Sequence, residues 1–201
     1  MRLPAAVITA MLALLLSACV SQPSLQTESL GWKAHKQQLE ALTIWRADGK
    51  LALRTPEQSQ SASMSWRQTG VISRLQLSGP LGAAATSFYS DGQSLEIRQG
   101  NAVTNWDLQD TTWLERETGW DFPLMALPDW IKGLPAPDLD VEELQLDANS
   151  AMLSKLTQDD WEIEYQAYAT FGDVSLPTRM RIQRGDTTVN VIISSWQLPT
   201  D

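Results

Sequence analysis

From Ile44 onward the chain alternates apolar and polar positions with a period of two. In Ser61-Ala62-Ser63-Met64-Ser65-Trp66, residues Ala62, Met64 and Trp66 share one side. Leu75 and Leu77 alternate with Arg74 and Gln76, and Trp161, Ile163 and Tyr165 with Glu162 and Glu164. Met180 and Ile182 alternate with Arg179, Arg181 and Gln183, and Val189, Val191 and Ile193 with Asn190, Ile192 and Ser194. A period of two places one set on each face of a strand. Turn pairs separate the runs: Thr69-Gly70, Asp91-Gly92, Gly100-Asn101, Asp159-Asp160 and Gly185-Asp186. Many short strands with one apolar and one polar face predict a mainly β protein, a sandwich or barrel of antiparallel strands rather than a parallel α/β sheet.

Two stretches break that period. Leu30 to Leu42 places Trp32, His35, Leu39 and Leu42 on one face of a 3.6-residue repeat, with Lys33, Lys36, Gln37 and Glu40 around the rest, and predicts an N-terminal helix. In the middle, Asp110 to Trp120 begins with an N-cap type and continues with helix formers. Pro123 to Lys132 is apolar, opens on a proline and is stopped by Gly133-Leu134-Pro135. Two short helices are therefore expected to interrupt the strands.

The first residues follow a different logic. Arg2 precedes an apolar run from Ala5 to Leu16, broken only by Thr9. That run is shorter than the ~20 residues a bilayer span needs, and has the proportions of a secretory signal. Leu16-Ser17-Ala18-Cys19 resembles the lipobox of bacterial lipoproteins, in which the cysteine is lipidated and becomes the mature N-terminus. Val20 follows Cys19 where lipoproteins kept in the inner membrane carry aspartate, so the resemblance implies the outer membrane. The expected organisation is a signal peptide over 1–18, a lipidated N-terminus and flexible tether over 19–29, and a single domain over 30–201.

Composition narrows the function. A formal net charge of −9 argues against nucleic-acid binding, which needs clustered Lys and Arg. One Cys and one His leave no zinc site of the usual kind. There is no G-x-S-x-G, glycine-rich phosphate loop or H-E-x-x-H. His35, on a helix among Lys and Gln, reads better as a half-buried helix residue than as a general base. Asp159-Asp160 and Glu142-Glu143 fit solvated turns better than a catalytic pair, because strand neighbours point to opposite faces. No enzyme and no cofactor are expected.

Nine tryptophans stand against three Phe and three Tyr. Facing inward from a sheet, they either fill a core or line a barrel left open for an apolar ligand, and composition does not separate these readings. A pattern of motifs adds to this. Trp32 and His35 on the first helix are followed by Gly49-Lys50-Leu51-Ala52-Leu53, by the turn Gly79-Pro80-Leu81-Gly82, and by Trp130-Ile131-Lys132-Gly133-Leu134-Pro135. In this order, behind a lipobox, they make the chain resemble the LolB family of outer-membrane lipoprotein receptors over nearly its whole mature length.

The resemblance implies an incomplete antiparallel β-barrel around an apolar cavity, with a short helical lid and an N-terminal helix. It implies receipt of acylated lipoproteins from a soluble periplasmic carrier and their insertion into outer-membrane lipid, with the receptor acting as a monomer. Cys19 is then the lipidation site, and Pro80, Leu81 and Gly82 the membrane-insertion loop. Strand parity assigns Leu51, Leu53, Met64, Trp66, Leu75, Leu77, Ile163 and Met180 to the acyl-binding cavity. The lid is expected to hold Trp113, Leu124, Met125, Trp130 and Ile131. Three other readings compete: a lipid-anchored scaffold protein with a packed barrel core, the soluble carrier itself, against which Cys19 speaks, and an anchored hydrolase.

Overall fold

A computed structural model describes residues 30–79, 85–108 and 124–199. The chain enters through helix α1 (Leu30–Ala41), whose buried residues are Trp32 and Leu39, seven apart on the expected face. Eleven strands follow: β1 (Ile44–Arg54), β2 (Ser59–Thr69), β3 (Ile72–Ser78), β4 (Thr86–Ser90), β5 (Ser94–Gln99), β6 (Ala102–Asp107), β7 (Val141–Leu146), β8 (Leu153–Gln158), β9 (Trp161–Phe171), β10 (Val174–Arg184) and β11 (Thr187–Gln197). Between β6 and β7 lies one helical turn, α2 (Leu127–Trp130).

All eleven strands form one antiparallel sheet in the order β6-β5-β4-β3-β2-β1-β11-β10-β9-β8-β7. The two halves of the chain meet where β1 pairs with β11. The sheet is open: β6 and β7 are its two edges. The expected incomplete barrel is thus present as an unclosed sheet, with its apolar face turned toward α1 and α2.

The join between the halves depends on one glycine. The β1–β11 register shifts between Asp48 and Gly49, a bulge that brings the two backbones close together. A Cβ built on Gly49 would fall on the carbonyl oxygen of Ile192, so no side chain fits there. Other turns follow the sequence signals. Asp159 and Asp160 adopt φ of 52° and 59°, the left-handed pair of a tight hairpin between β8 and β9. Asp91 accepts hydrogen bonds from the backbone N–H groups of Gln93 (3.0 Å) and Ser94 (2.8 Å), which hold its carboxyl below the ordinary range.

The helical insert departs from the expectation. The run from Pro123 to Lys132 contains only the turn Leu127–Trp130, preceded by turns over 124–126. Pro128 explains the late start: a residue without an N–H fits only the first turn, and here it is the second helical residue. Gly133, at φ +87°, ends the segment beneath Tyr168 and Pro177. The helix expected over 110–120 lies outside the described residues.

Candidate functional site: the apolar inner face

The register assembles a continuous inner face. Ala47 lies opposite Trp66, which lies opposite Leu75, which lies opposite Phe88, which lies opposite Ile97. One step along, Gly49, Met64 and Leu77 form a second row, and Leu51 stands between Ala62 and Val191. On the other side of β1, Val191 faces Met180 and Met180 faces Tyr165, while Ile182 faces Ile163 and Ile163 faces Leu156. Every position assigned by parity to the cavity therefore lies on the same face of the sheet.

That face is not uniformly covered. Met64, Trp66, Ile163 and Met180 are buried, the last two at 0% and 1% exposure. Leu51, Leu53, Leu75 and Leu77 are only half-buried, packed against the margin of the main core. Beyond them Phe88, Ile97, Trp106, Leu108 and Leu124 gather around Leu95 as a separate small cluster. The cavity set thus splits. Ile163 and Met180 belong to solid core, while the four leucines lie on the side where the face thins toward solvent.

Aromatic residues and an internal plug occupy the filled end. Trp45 sits between Trp66 and Trp196, edge to face, with ring centroids 5.4 and 5.3 Å away. Trp196 Nε1 donates to the carbonyl of Pro177 at 2.9 Å. The segment around α2 is pinned by polar groups that sequence reasoning missed. Gln158, fully buried, accepts through Oε1 from Trp130 Nε1 and from the Ala136 N–H, both at 2.8 Å. Its Nε2 donates to the carbonyls of Ala136 (2.9 Å) and Leu139 (2.8 Å). All four bonding positions of the amide are satisfied.

Tyr165 and Tyr168 add two more ties, donating to the carbonyls of Trp130 (2.9 Å) and Leu153 (2.8 Å). Burial raises the pKa of both phenols, so each keeps its proton and remains a donor. Lys132 reaches back to α1, donating to the Leu39 carbonyl at 3.3 Å, and pairs with Asp129 at 3.3 Å. Burial raises the Asp129 pKa, and the Lys132 ammonium opposes this in part.

Of the residues expected in the lid, four lie among the described residues. Trp130 and Ile131, at 0% and 3% exposure, are core residues fixed by hydrogen bonds, because the Trp130 indole and carbonyl both need partners once buried. Leu124 packs in the Leu95 cluster and Met125 is exposed. Trp113, Cys19 and the loop Pro80, Leu81 and Gly82 between β3 and β4 lie outside the described residues. His35 is half-buried beside the Trp32 ring, and burial lowers its pKa. No group of three or more metal-ligating side chains occurs among the described residues.

An unclosed antiparallel sheet with helices against an apolar inner face is a known architecture. Solved structures share it: a LolA superfamily protein from Nitrosomonas europaea (TM-score 0.54, 7% identity, 86% of this chain and 96% of that one) and a putative outer membrane lipoprotein-sorting protein domain from Vibrio parahaemolyticus (TM-score 0.55, 12% identity, 82% and 90%). At such identities the likeness concerns the fold.

The fold class is therefore that of the LolA-like open barrels. The family follows from the sequence itself: the family model "Outer membrane lipoprotein LolB" matches residues 43–196, and the chain belongs to that family. "Outer-membrane lipoprotein LolB" of Pseudomonas paraeruginosa is 38% identical over 175 residues, covering 86% of this chain and 83% of its own. That of Stutzerimonas stutzeri is 36% identical over 194 residues, covering 92% of each. The protein is an outer-membrane lipoprotein of the lipoprotein localisation family, a transport protein and not an enzyme.

Proposed function

We propose that the chain accepts acylated lipoproteins from a soluble periplasmic carrier, holds their acyl chains on the inner face of the open barrel, and inserts them into the outer membrane. One observation carries this reading. The half-buried leucines Leu51, Leu53, Leu75 and Leu77 form an apolar margin that is neither solid core nor outer surface. Each methylene withdrawn from water contributes ~0.8 kcal/mol, so an acyl chain has a strong drive toward such a face. The tryptophan cluster of the sheet and the α2 plug beside it form one wall of the site, leaving the leucine side to adapt.

In this reading Cys19 carries the lipid that keeps the body at the membrane, and Leu81 between Pro80 and Gly82 makes the brief apolar contact through which cargo leaves. Burying one leucine contributes only ~1.5–3 kcal/mol, enough for local penetration and not for anchoring. In this reading transfer runs downhill from carrier to receptor to bilayer. The experiment loads the mature protein with lipoprotein from its carrier and then adds liposomes. Leu75→Glu should block loading, whereas Leu81→Glu should load normally and fail to discharge, because a charge is costly in an apolar phase. Normal loading by Leu75→Glu would remove the leucine margin as the acyl site, whereas no loading and no uptake of a hydrophobic fluorescent probe by the parent protein would favour a packed scaffold instead.

A further inference from the structure

The opposite face of the same strands carries a different chemistry. Along β1 the outward positions are Arg46, Asp48, Lys50, Ala52 and Arg54, and on β2 and β3 they include Ser61, Ser63, Ser65, Arg67, Arg74 and Gln76. Five cations thus share this face with one carboxylate, in a chain whose net charge is −9. The negative charge lies elsewhere. On the outward side of β7–β9, Glu143 and Glu162 pair with Lys155 at 3.1 and 2.8 Å, and Glu164 stands opposite Lys155.

The register makes the basic face self-repelling. Arg46 lies directly opposite Arg67, and Arg67 directly opposite Arg74. Like charges directly opposite each other destabilise a sheet unless compensated. Arg46 is answered by Asp48 at 2.9 Å, and Arg74 stacks over the Tyr89 ring at 5.1 Å. Arg67, exposed between them, makes no direct ion pair among the described residues and shares the attraction of Asp48 with Arg46. These side chains border a concavity of about 540 Å³ that also includes Ser65, Gln76, Ser87 and one carboxylate, Glu96, itself paired with Arg98 at 3.0 Å. Guanidinium forks with neighbouring hydroxyls match the tetrahedral oxygens of a phosphate.

We propose that the outward face of β1–β3 lies against the anionic headgroups of the membrane, with Arg46, Arg67 and Arg74 receiving phospholipid phosphates. This rests on the family's outer-membrane location and not on the apolar face as an acyl site. The segment 20–29, about 35 Å at full stretch, exceeds the ~18 Å length of α1, so an anchor at Cys19 leaves room for the body to turn this side down. Ser78 and Thr86, which flank the Leu81 loop, are level with Lys50 and Gly49, on the Arg54 side of the arginine row. A body lying flat on this face therefore brings both the arginine row and that side of the sheet to the lipid.

The test uses the mature lipidated protein on supported bilayers, with neutron reflectometry reading the thickness of the protein layer. On phosphatidylglycerol-containing lipid the layer should be thin and adjacent to the headgroups. On phosphatidylcholine alone it should be thicker and more diffuse. Arg67→Gln with Arg74→Gln should give the thick layer on both lipids, as should about 0.5 M salt, while the paired Lys substitutions keep the thin one. Equal layers on the two lipids, or a thin layer retained by the Gln variant, would overturn the proposal. A Gln variant that keeps its thin layer but no longer takes up cargo would assign the face to an acidic protein partner. Because the layer is read without cargo, failure of the acyl-transfer reading leaves this result intact.

Discussion

Strands β8–β11 and strands β3–β6 belong to one sheet and share one inner face, yet they are built to different standards. Along β9, β10 and β11 almost every inward residue is buried, from Trp161 and Ile163 to Met180, Ile182, Val191 and Trp196. In β3–β6 the one buried residue is Leu95. The first half has α1 and the plug pressed into it. The second presents Leu75, Leu77, Phe88 and Ile97 half-covered. Under the proposed function the two parts divide the work: the packed half secures the fold, and the apolar margin is left for cargo to cover.

The contrast can be broken most directly at Trp130. Replacing it with alanine empties the centre of the packed half and should cost ~3–5 kcal/mol, read as a fall in denaturation midpoint. If so central a residue could be removed for less than ~1 kcal/mol, the description of that half as solid would be wrong. Gln158→Leu ranks next. It preserves bulk but leaves the Trp130 indole and the Ala136 N–H without acceptors, at ~1–3 kcal/mol for each orphaned group. The heavier loss should appear as earlier hydrogen exchange around α2.

Leu75→Ala sharpens the other side. A half-buried leucine should cost about 1–2 kcal/mol, below the usual range for a filled core, and its main signature should be weaker binding of an acyl probe. A stability loss as large as that of Ile163→Ala would erase the distinction between the halves. The smallest effect is expected from His35. Burial lowers its pKa, so the neutral ring is the form that α1 packs in the fold. The stability this brings is fully present above the ordinary value near 6.5, and is lost as pH falls through 6.5 toward the lowered folded value. His35→Gln should remove that slope from a series of melts, leaving other acid-sensitive groups unaffected.

Alternation made much of this legible beforehand. Met64, Trp66, Ile163 and Met180 lie on the inner face because strand periodicity leaves them no other choice, and α1 buries Trp32 and Leu39, two of the four residues on the face that its repeat selected. Depth was not legible. Whether an inward residue is sealed or half-covered depends on what packs across from it, and that partner can be far away in the chain. The resemblance placed Trp130 and Ile131 in a lid, and nothing in their local pattern showed that Gln158, 28 positions later, would tie the Trp130 indole into the core. A buried glutamine at a strand end carries no apolar signal. The arginine row was similarly hidden, since like charges on three strands become neighbours only once the register is known.

The two unpaired edges, β6 and β7, have a consequence for capacity. A closed barrel has its girth set by strand number and stagger, and widening it breaks a seam of hydrogen bonds. Here the order ends at β6 on one side and β7 on the other, with no strand-to-strand seam between them among the described residues. The circumference is therefore an adjustable quantity. A sheet of this kind spreads by changing its twist and curvature, keeping each existing ladder intact. In the proposed acyl-binding role, cargo molecules that differ in the number or length of their acyl chains would be fitted by one scaffold, each setting the bore it requires.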